Sequence, residues 1–194
     1  MSSASDATRL AVTLLTVGAS LIVWGVWIPA KAWLAQRLIE RAWTQTQDEH
    51  QRGKPWPWAD TWPVAKLVPH DPLMGPLFVL AGASGQSMAF GPGHVASSAA
   101  PGEDDNIVLA GHRDTHFSFL KGVKAGDVLT LESRDSATRY AVESIEVVHE
   151  SRVDLIERTG EAELTLVTCF PFDAIAPGGP LRFIVHARAI ANQI

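Results

Sequence analysis

A single cysteine, Cys169, stands among the 194 residues. An intrachain disulfide is therefore excluded, as are a CxxC redox pair and a zinc cluster built on thiolates. Any thiol chemistry rests on one sulfur. No run of Lys and Arg builds the basic stripe that nucleic-acid binding requires, and a formal net charge of -5 offers no attraction for phosphate. No nucleic-acid partner is expected. Gly91-Pro92-Gly93 lacks both the GxGxxG and the GxxxxGKS/T context of a phosphate-cradling loop, and no internal repeat recurs. The length leaves room for one domain of ordinary size plus an anchor, not for a second enzyme domain.

What is present begins with a long apolar run. Leu10 to Ala30 holds no charged residue and, at ~1.5 Å per residue, is long enough to cross a ~30 Å hydrocarbon core. Trp24 and Trp27 near its end suit a membrane interface, so the run predicts one transmembrane helix. Its length, the lone Arg9 before it and the poor cleavage sequence Trp24 to Pro29 argue against a cleaved signal. The absence of a one-sided apolar period argues against a buried core helix. Lys31, Arg37 and Arg41 follow the run, which by the positive-inside rule favours a cytoplasmic C-terminal side. A long C-terminal domain translocates largely regardless of such charges, so these residues leave orientation open.

From Lys31 to His50, Ala32, Leu34, Ala35, Leu38, Ile39 and Ala42 recur at helical spacing, which extends the helix as an amphipathic stalk that Gly53 ends. Prolines at 55, 57, 63, 69 and 72 with tryptophans at 56, 58 and 62 favour an extended linker whose rings lie on a surface. From about Val64 the chain turns to short β-rich runs: Val64 to Val68, Leu77 to Leu80, Ile107 to Ala110, Val128 to Glu132, Thr138 to Val148, Leu164 to Thr168 and Leu181 to Ile190. Without alternating helices these predict an all-β barrel or sandwich. The expected organisation is a tail at 1–9, an anchor at 10–30, a stalk and linker at 31–62, and a folded β domain at 63–194.

The stretch ELTLVTCFPFD, Glu163 to Asp173, places Cys169 at the end of a strand, because Pro171 cannot extend a hydrogen-bonded ladder. A lone cysteine is more often a small buried apolar residue, so it needs partners to read as a nucleophile. NIVLAGHRDTHFSF, Asn106 to Phe119, presents His112 in the same way, at a strand end after Gly111. A thiol near pKa ~8.5 is mostly protonated at neutral pH and wants such a base or cation beside it. Arg182, at the start of an alternating strand after Pro177-Gly178-Gly179-Pro180, offers a guanidinium for a developing oxyanion. The plain alternatives are a turn-capping His112 and a surface Arg182 paired with Glu163 or Asp173. His112 and His116 with Asp114 between them lack a third ligand at motif spacing, so neither metal nor cofactor is expected.

TLVTC at Thr165 to Cys169, AGHRDTHF at Ala110 to Phe117 and LRFIVHA at Leu181 to Ala187 resemble the three signatures of the sortases, in the order His, Cys, Arg. Gly91 to Arg113 looks like the stretch leading to the family's active-site histidine. The anchor and Trp/Pro-rich linker resemble the Gram-negative (class GN, proteobacterial) branch. The resemblance covers about Pro63 to Ala189. Asp105 departs from the glycine that commonly precedes Asn106, and Ala110 replaces a serine found in some members. Glu103, Asp104 and Asp105 read as a solvated turn, not as the calcium-binding loop of one class.

The resemblance implies an eight-stranded β-barrel with short helices, tethered by one helix to the cytoplasmic (inner) membrane, with its catalytic domain in the periplasm. It implies transpeptidation at a C-terminal LPxTG-like sorting signal through a thioacyl enzyme, with Cys169 as nucleophile, His112 as acid and base, and Arg182 at the oxyanion. Thr168 and Ala110 would contact substrate. The implied partners are a substrate protein bearing the signal, an amine acceptor and the membrane, with the chain acting as a monomer. Two rivals stand beside it: another cysteine acyl hydrolase or peptidase, which expects a different chain order, and a non-catalytic peptide-binding envelope adaptor.

Overall fold

A computed structural model of the chain describes residues 3–49, 52–71, 73–176 and 178–191. It divides into two compact units, Met1–Arg37 and Leu38–Ile194. The helix α1, Ser3–Glu49, runs through Pro29 without a break in its assignment. Along the apolar run from Leu10 to Ile28 the large side chains are exposed, with Leu15, Ile22 and Trp24 among them. The hydroxyls of Thr13, Thr16 and Ser20 bond to carbonyls of the helix itself. Thr13 donates to the Arg9 carbonyl at 2.9 Å and Ser20 to that of Thr16 at 2.8 Å, so neither hydroxyl needs water. The helix is long and apolar enough to cross a membrane.

In the second unit the end of α1 buries Ile39 and Ala42, which the stalk periodicity anticipates, and Trp43, which it does not include. Glu49 ends the helix, and His50 lies outside the described residues. Gly53 has a sharper role than ending a helix. A Cβ there would stand 2.2 Å from the Ala42 carbonyl oxygen, so only glycine lets the chain return this closely over the helix end. Thr46 fixes the return by accepting from the Gly53 N–H at 3.0 Å and donating to the Ala42 carbonyl at 2.8 Å. Beyond it Trp56 packs edge-on against Phe90 with centroids 5.4 Å apart, and Arg52 lies 5.0 Å over the Trp62 ring. Trp58 departs from the expected surface packing and is exposed.

The strands are β1 (Pro63–Val68), β2 (Leu77–Ala81), β3 (Gly93–His94), β4 (Asn106–Ala110), β5 (Val128–Glu132), β6 (Ala137–His149), β7 (Glu163–Phe170) and β8 (Leu181–Ile190). They close into a barrel in the order β1-β2-β3-β4-β7-β8-β6-β5, with Leu67 of β1 opposite Leu131 of β5. Closure leaves no free sheet edge. The four-residue helix α2, Gly85–Met88, and two 3₁₀ turns, Ser118–Gly122 and Val153–Ile156, complete it. Period-2 alternation fills the interior with Ala65, Leu67, Leu129, Leu131, Leu164, Leu166, Val185 and Ala187. The 3₁₀ residue Leu120 and the loop residue Phe117 add to that core. The parallel pair β4 and β7 is covered on both faces, which is why Ile107, Val108 and Leu109 are all fully buried.

One end of β4 is tied down by Asp105. Its carboxylate accepts the backbone N–H groups of Asn106, Thr159 and Gly160 at 2.7, 2.8 and 3.0 Å, and Arg158 at 2.9 Å. The solvated turn expected at Glu103 to Asp105 is thus a clasp between two loops, with Arg158 also bonded to Glu103. The N–H groups of Gly160 and Asn106 hold the Asp105 carboxyl down at about 2, against an ordinary 3.8. A depressed carboxyl contributes stability that is present above its unfolded pKa and lost as pH falls through its folded one. Asp105→Asn is therefore expected to melt at a lower temperature than the wild type at pH 7. That gap should shrink between pH ~4 and ~2, and thermal melts across this range that keep a constant gap would refute the clasp.

Candidate active site

β7 and β8 are antiparallel and in a register that sets Cys169 opposite Arg182 and Phe170 opposite Leu181. Directly opposed residues share a face, with Cβ atoms about 4.5–5.5 Å apart. Val167, two residues before Cys169, and Ile184, two after Arg182, lie on that same outer face, while Leu166 and Val185 point into the core. On the other side of β7, parallel β4 runs with Ala110 beside Val167. Two bonds carry this pairing past the strand end: the Gly111 N–H donates to Val167 O at 3.1 Å, and the Thr168 hydroxyl donates to Gly111 O at 2.7 Å. His112 therefore leaves β4 next to the position of Cys169, on the same side by alternation.

The turn after His112 is built on a missing side chain. A Cβ on Gly111 would lie 2.8 Å from the ring of Phe117, which is fully buried beneath it. Phe117 returns its N–H to the His112 carbonyl at 3.0 Å, closing the turn while His112 itself stays exposed. His116 is half-buried, and burial first, then the neighbouring charge of His112, push its pKa below 6.5 against the opposing pull of a hydrogen bond at the Ala89 backbone. Among the described residues no group of three or more His, Cys, Asp or Glu is arranged to hold a metal ion.

Cys169 is a free, half-buried thiol. The Arg182 guanidinium donates from Nη1 to the carbonyls of Gly179 and Leu181 at 2.5 and 2.9 Å, and from Nη2 to the Glu150 carboxylate at 2.5 Å. Its ion-pair partner is thus Glu150, not Glu163 or Asp173; Glu163 serves Arg188 at 3.1 Å. A groove of about 190 Å³ lies on this outer face, with Val108, Ala110, Val167 and Ile184 from the strands, Val153, Leu155 and Ile156 from the loop between β6 and β7, and Arg182 and Glu150 among its charged residues. Ala110 stands in that groove. Thr168 is buried, and its hydroxyl serves the strand-end bond to Gly111 instead of the groove.

Three residues matter here that sequence reasoning did not single out. Asn106 donates to the carbonyls of Leu155 and Glu157 at 3.3 and 2.9 Å and accepts from Thr165 at 2.8 Å, which fixes the groove's loop wall to the barrel. Arg113, only 9% exposed, donates to Ala174 and Ala176 carbonyls at 3.0 and 2.9 Å and pins the loop between β7 and β8. Glu150 engages Arg182. The one available signal was the position of Arg113 beside His112; arginines are rarely buried without partners. The assembled groups suit acyl transfer: a thiol to attack, an imidazole to move a proton and a guanidinium for negative charge on oxygen; of the three, only Arg182 lines the apolar groove on that face.

A sortase domain family model matches residues 73–190. Sortase D of Bacillus subtilis is 30% identical over 113 residues, which cover 58% of this chain and 57% of that protein. The match thus spans little more than half the relative's length. In structure the chain resembles the Clostridium perfringens Sortase D5 transpeptidase, with a TM-score of 0.65, 22% identity, and coverage of 81% of this chain and 99% of that one. It also resembles the catalytic domain of B. anthracis SrtD, with a TM-score of 0.56, 31% identity, and coverage of 66% and 88%.

The Gly111–Phe117 contact yields a direct test. Gly111→Ala forces either the ring or the strand end to shift, and is expected to destabilise the barrel by about 1–3 kcal/mol in urea unfolding. An unchanged midpoint would mean that Phe117 does not seat the turn.

Proposed function

Because the chain belongs to the sortase family, we propose that it is a membrane-anchored cysteine transpeptidase acting on a protein with a C-terminal LPxTG-like sorting signal. The observation that carries this reading is the register that sets Cys169 opposite Arg182 while His112 leaves the neighbouring strand beside them. The signal lies extended in the apolar groove. The Cys169 thiolate attacks the carbonyl carbon of the Thr–Gly bond, forming an S–C bond and placing negative charge on the oxygen. Arg182 donates hydrogen bonds to that oxyanion. As the C–N bond breaks, His112 gives a proton to the departing amine and leaves a thioester on Cys169. An acceptor amine then loses a proton to His112, attacks the thioester and releases the thiolate. Ala110 contributes to the groove floor, and Thr168 supports the site through Gly111.

The anchor helix and the Trp/Pro-rich segment after it support placement in the proteobacterial branch of the family, with the helix in the inner membrane and the barrel in the periplasm. A sorting signal on an exported protein is met only on that side.

The full chain in detergent, incubated with a library of LPxTG-like peptides, is expected to gain one acyl fragment on Cys169 by intact-mass spectrometry, and an added amine should speed its release. Cys169→Ala should show none, and His112→Ala or Arg182→Ala should acylate about 10²–10⁴-fold more slowly. Adduct on the Cys169→Ala chain, or none on the wild type with any peptide although its thiol alkylates, overturns the reading. A reporter active only in the periplasm, fused to the C-terminus, is expected to be active; activity from a cytoplasmic reporter instead would reverse the topology.

A further inference from the structure

We propose that Glu150 is a positioning residue for Arg182, holding the guanidinium so that two of its N–H groups remain available to the oxygen of the carbonyl under attack; this rests on the acyl-transfer reading above. A guanidinium has five N–H donors. Both hydrogens of Nη1 are taken by the carbonyls of Gly179 and Leu181, and one of Nη2 by Glu150. The Nε–H and one Nη2–H are left, enough to hold one oxyanion.

Glu150 is itself fixed in place. It follows directly on β6, whose last residue, His149, pairs with Leu181, and its own N–H donates to the Pro180 carbonyl at 2.7 Å. The carboxylate is thus mounted on the same short segment that supplies the Gly179 and Leu181 carbonyls. The two carbonyls hold the rigid guanidinium plane at Nη1 alone, and the bond from Glu150 to Nη2 is the second point that stops the plane from pivoting there. The pair is not a stability device. The Glu150 side chain is 51% exposed and that of Arg182 26%, a setting in which ion pairs add little to folding. Its consequence falls on the geometry of the charge that faces the reaction. Glu150 also stands in the groove, yet the groove's apolar side chains come from other residues, so its loss should affect acylation rate more than donor binding.

Acylation kinetics on the full chain in detergent, together with NMR of the Arg182 side chain, test this. Glu150→Ala is expected to slow acylation about 10-fold with the donor KM within about threefold, while Glu150→Gln, which keeps an acceptor oxygen, recovers most of the rate. In an Arg182→Ala background Glu150→Ala should cause no further loss. If the two losses multiply, Glu150 does not act through Arg182 and the proposal fails. Independently of turnover, the Arg182 Nη2 group should show slow rotation in the wild type and in Cys169→Ala, and averaged signals in Glu150→Ala, while Nη1 stays slow in all three. Free rotation in the wild type also overturns the proposal. A wild type that never acylates sinks the acyl-transfer reading, and the NMR arm still decides whether Glu150 holds Arg182.

Discussion

The site depends on one constraint, the register of β7 against its two neighbours. Parallel pairing with β4 sets Val167 beside Ala110, and antiparallel pairing with β8 sets Cys169 opposite Arg182. Positions 112, 169 and 182, far apart in the chain, thereby share one strand end and one face. A slip of one residue would turn Cys169 into the core and Thr168 outward. The interior prevents it: Leu164 and Leu166 of β7 are fully buried against Ile107, Leu109, Val185 and Ala187, and a slip would expose them. The same side chains that stabilise the barrel therefore set the geometry of the chemistry. In the proposed reaction this sets the three groups relative to one another through the backbone, because β4, β7 and β8 share continuous ladders.

The loops around the site are held by a different kind of contact. Asp105 collects three N–H groups and Arg158, Asn106 takes two carbonyls of the groove wall, and Arg113 takes two carbonyls beyond β7. Each is one polar side chain from or beside β4 reaching backbone atoms of a distant loop. Such contacts pin a loop at a point and leave the rest of it free to adjust. A rigid ladder carrying the reacting groups, edged by loops tethered at single points, suits an enzyme that must admit a peptide into a groove and then an amine to the same carbon.

The strand runs were legible because the alternation is regular: Val128 to Glu132 and Leu181 to Ile190 are found as expected. The cysteine strand runs one residue further than Cys169, to Phe170, still ahead of Pro171. β3 was not legible. It is two residues long, and Gly93 carries no side chain to show a pattern; a Cβ there would meet the Gly82 carbonyl at 2.4 Å. The partner of Arg182 was not legible for a related reason. Glu163 and Asp173 flank the cysteine motif in sequence, but Glu163 is the register partner of Arg188, while Glu150 reaches Arg182 because the pairing of β6 with β8 runs on to His149 and Leu181. Contacts made through register are invisible until the topology is known. Asp105 was read as solvated because acidic clusters usually are, and only the approach of Gly160 from another loop makes it a clasp.

The basic residues that follow the apolar run bear on orientation in the same indirect way. By count alone Lys31, Arg37 and Arg41 favour a cytoplasmic C-terminal side. In the structure Lys31 lies 5.4 Å over the Trp27 ring, and Arg37 lies 5.7 Å over that of Trp33. A cation above an indole, with an apolar stem along a helix, is the arrangement expected where a span leaves the hydrocarbon and meets headgroups, on either side of a membrane. Lys31 and Arg37 are thus engaged by rings of their own helix, an arrangement that suits either side of a membrane and so does not discriminate between the two orientations. What remains to orient the chain is the domain behind them, a long folded barrel of the kind whose translocation flanking charges do not control.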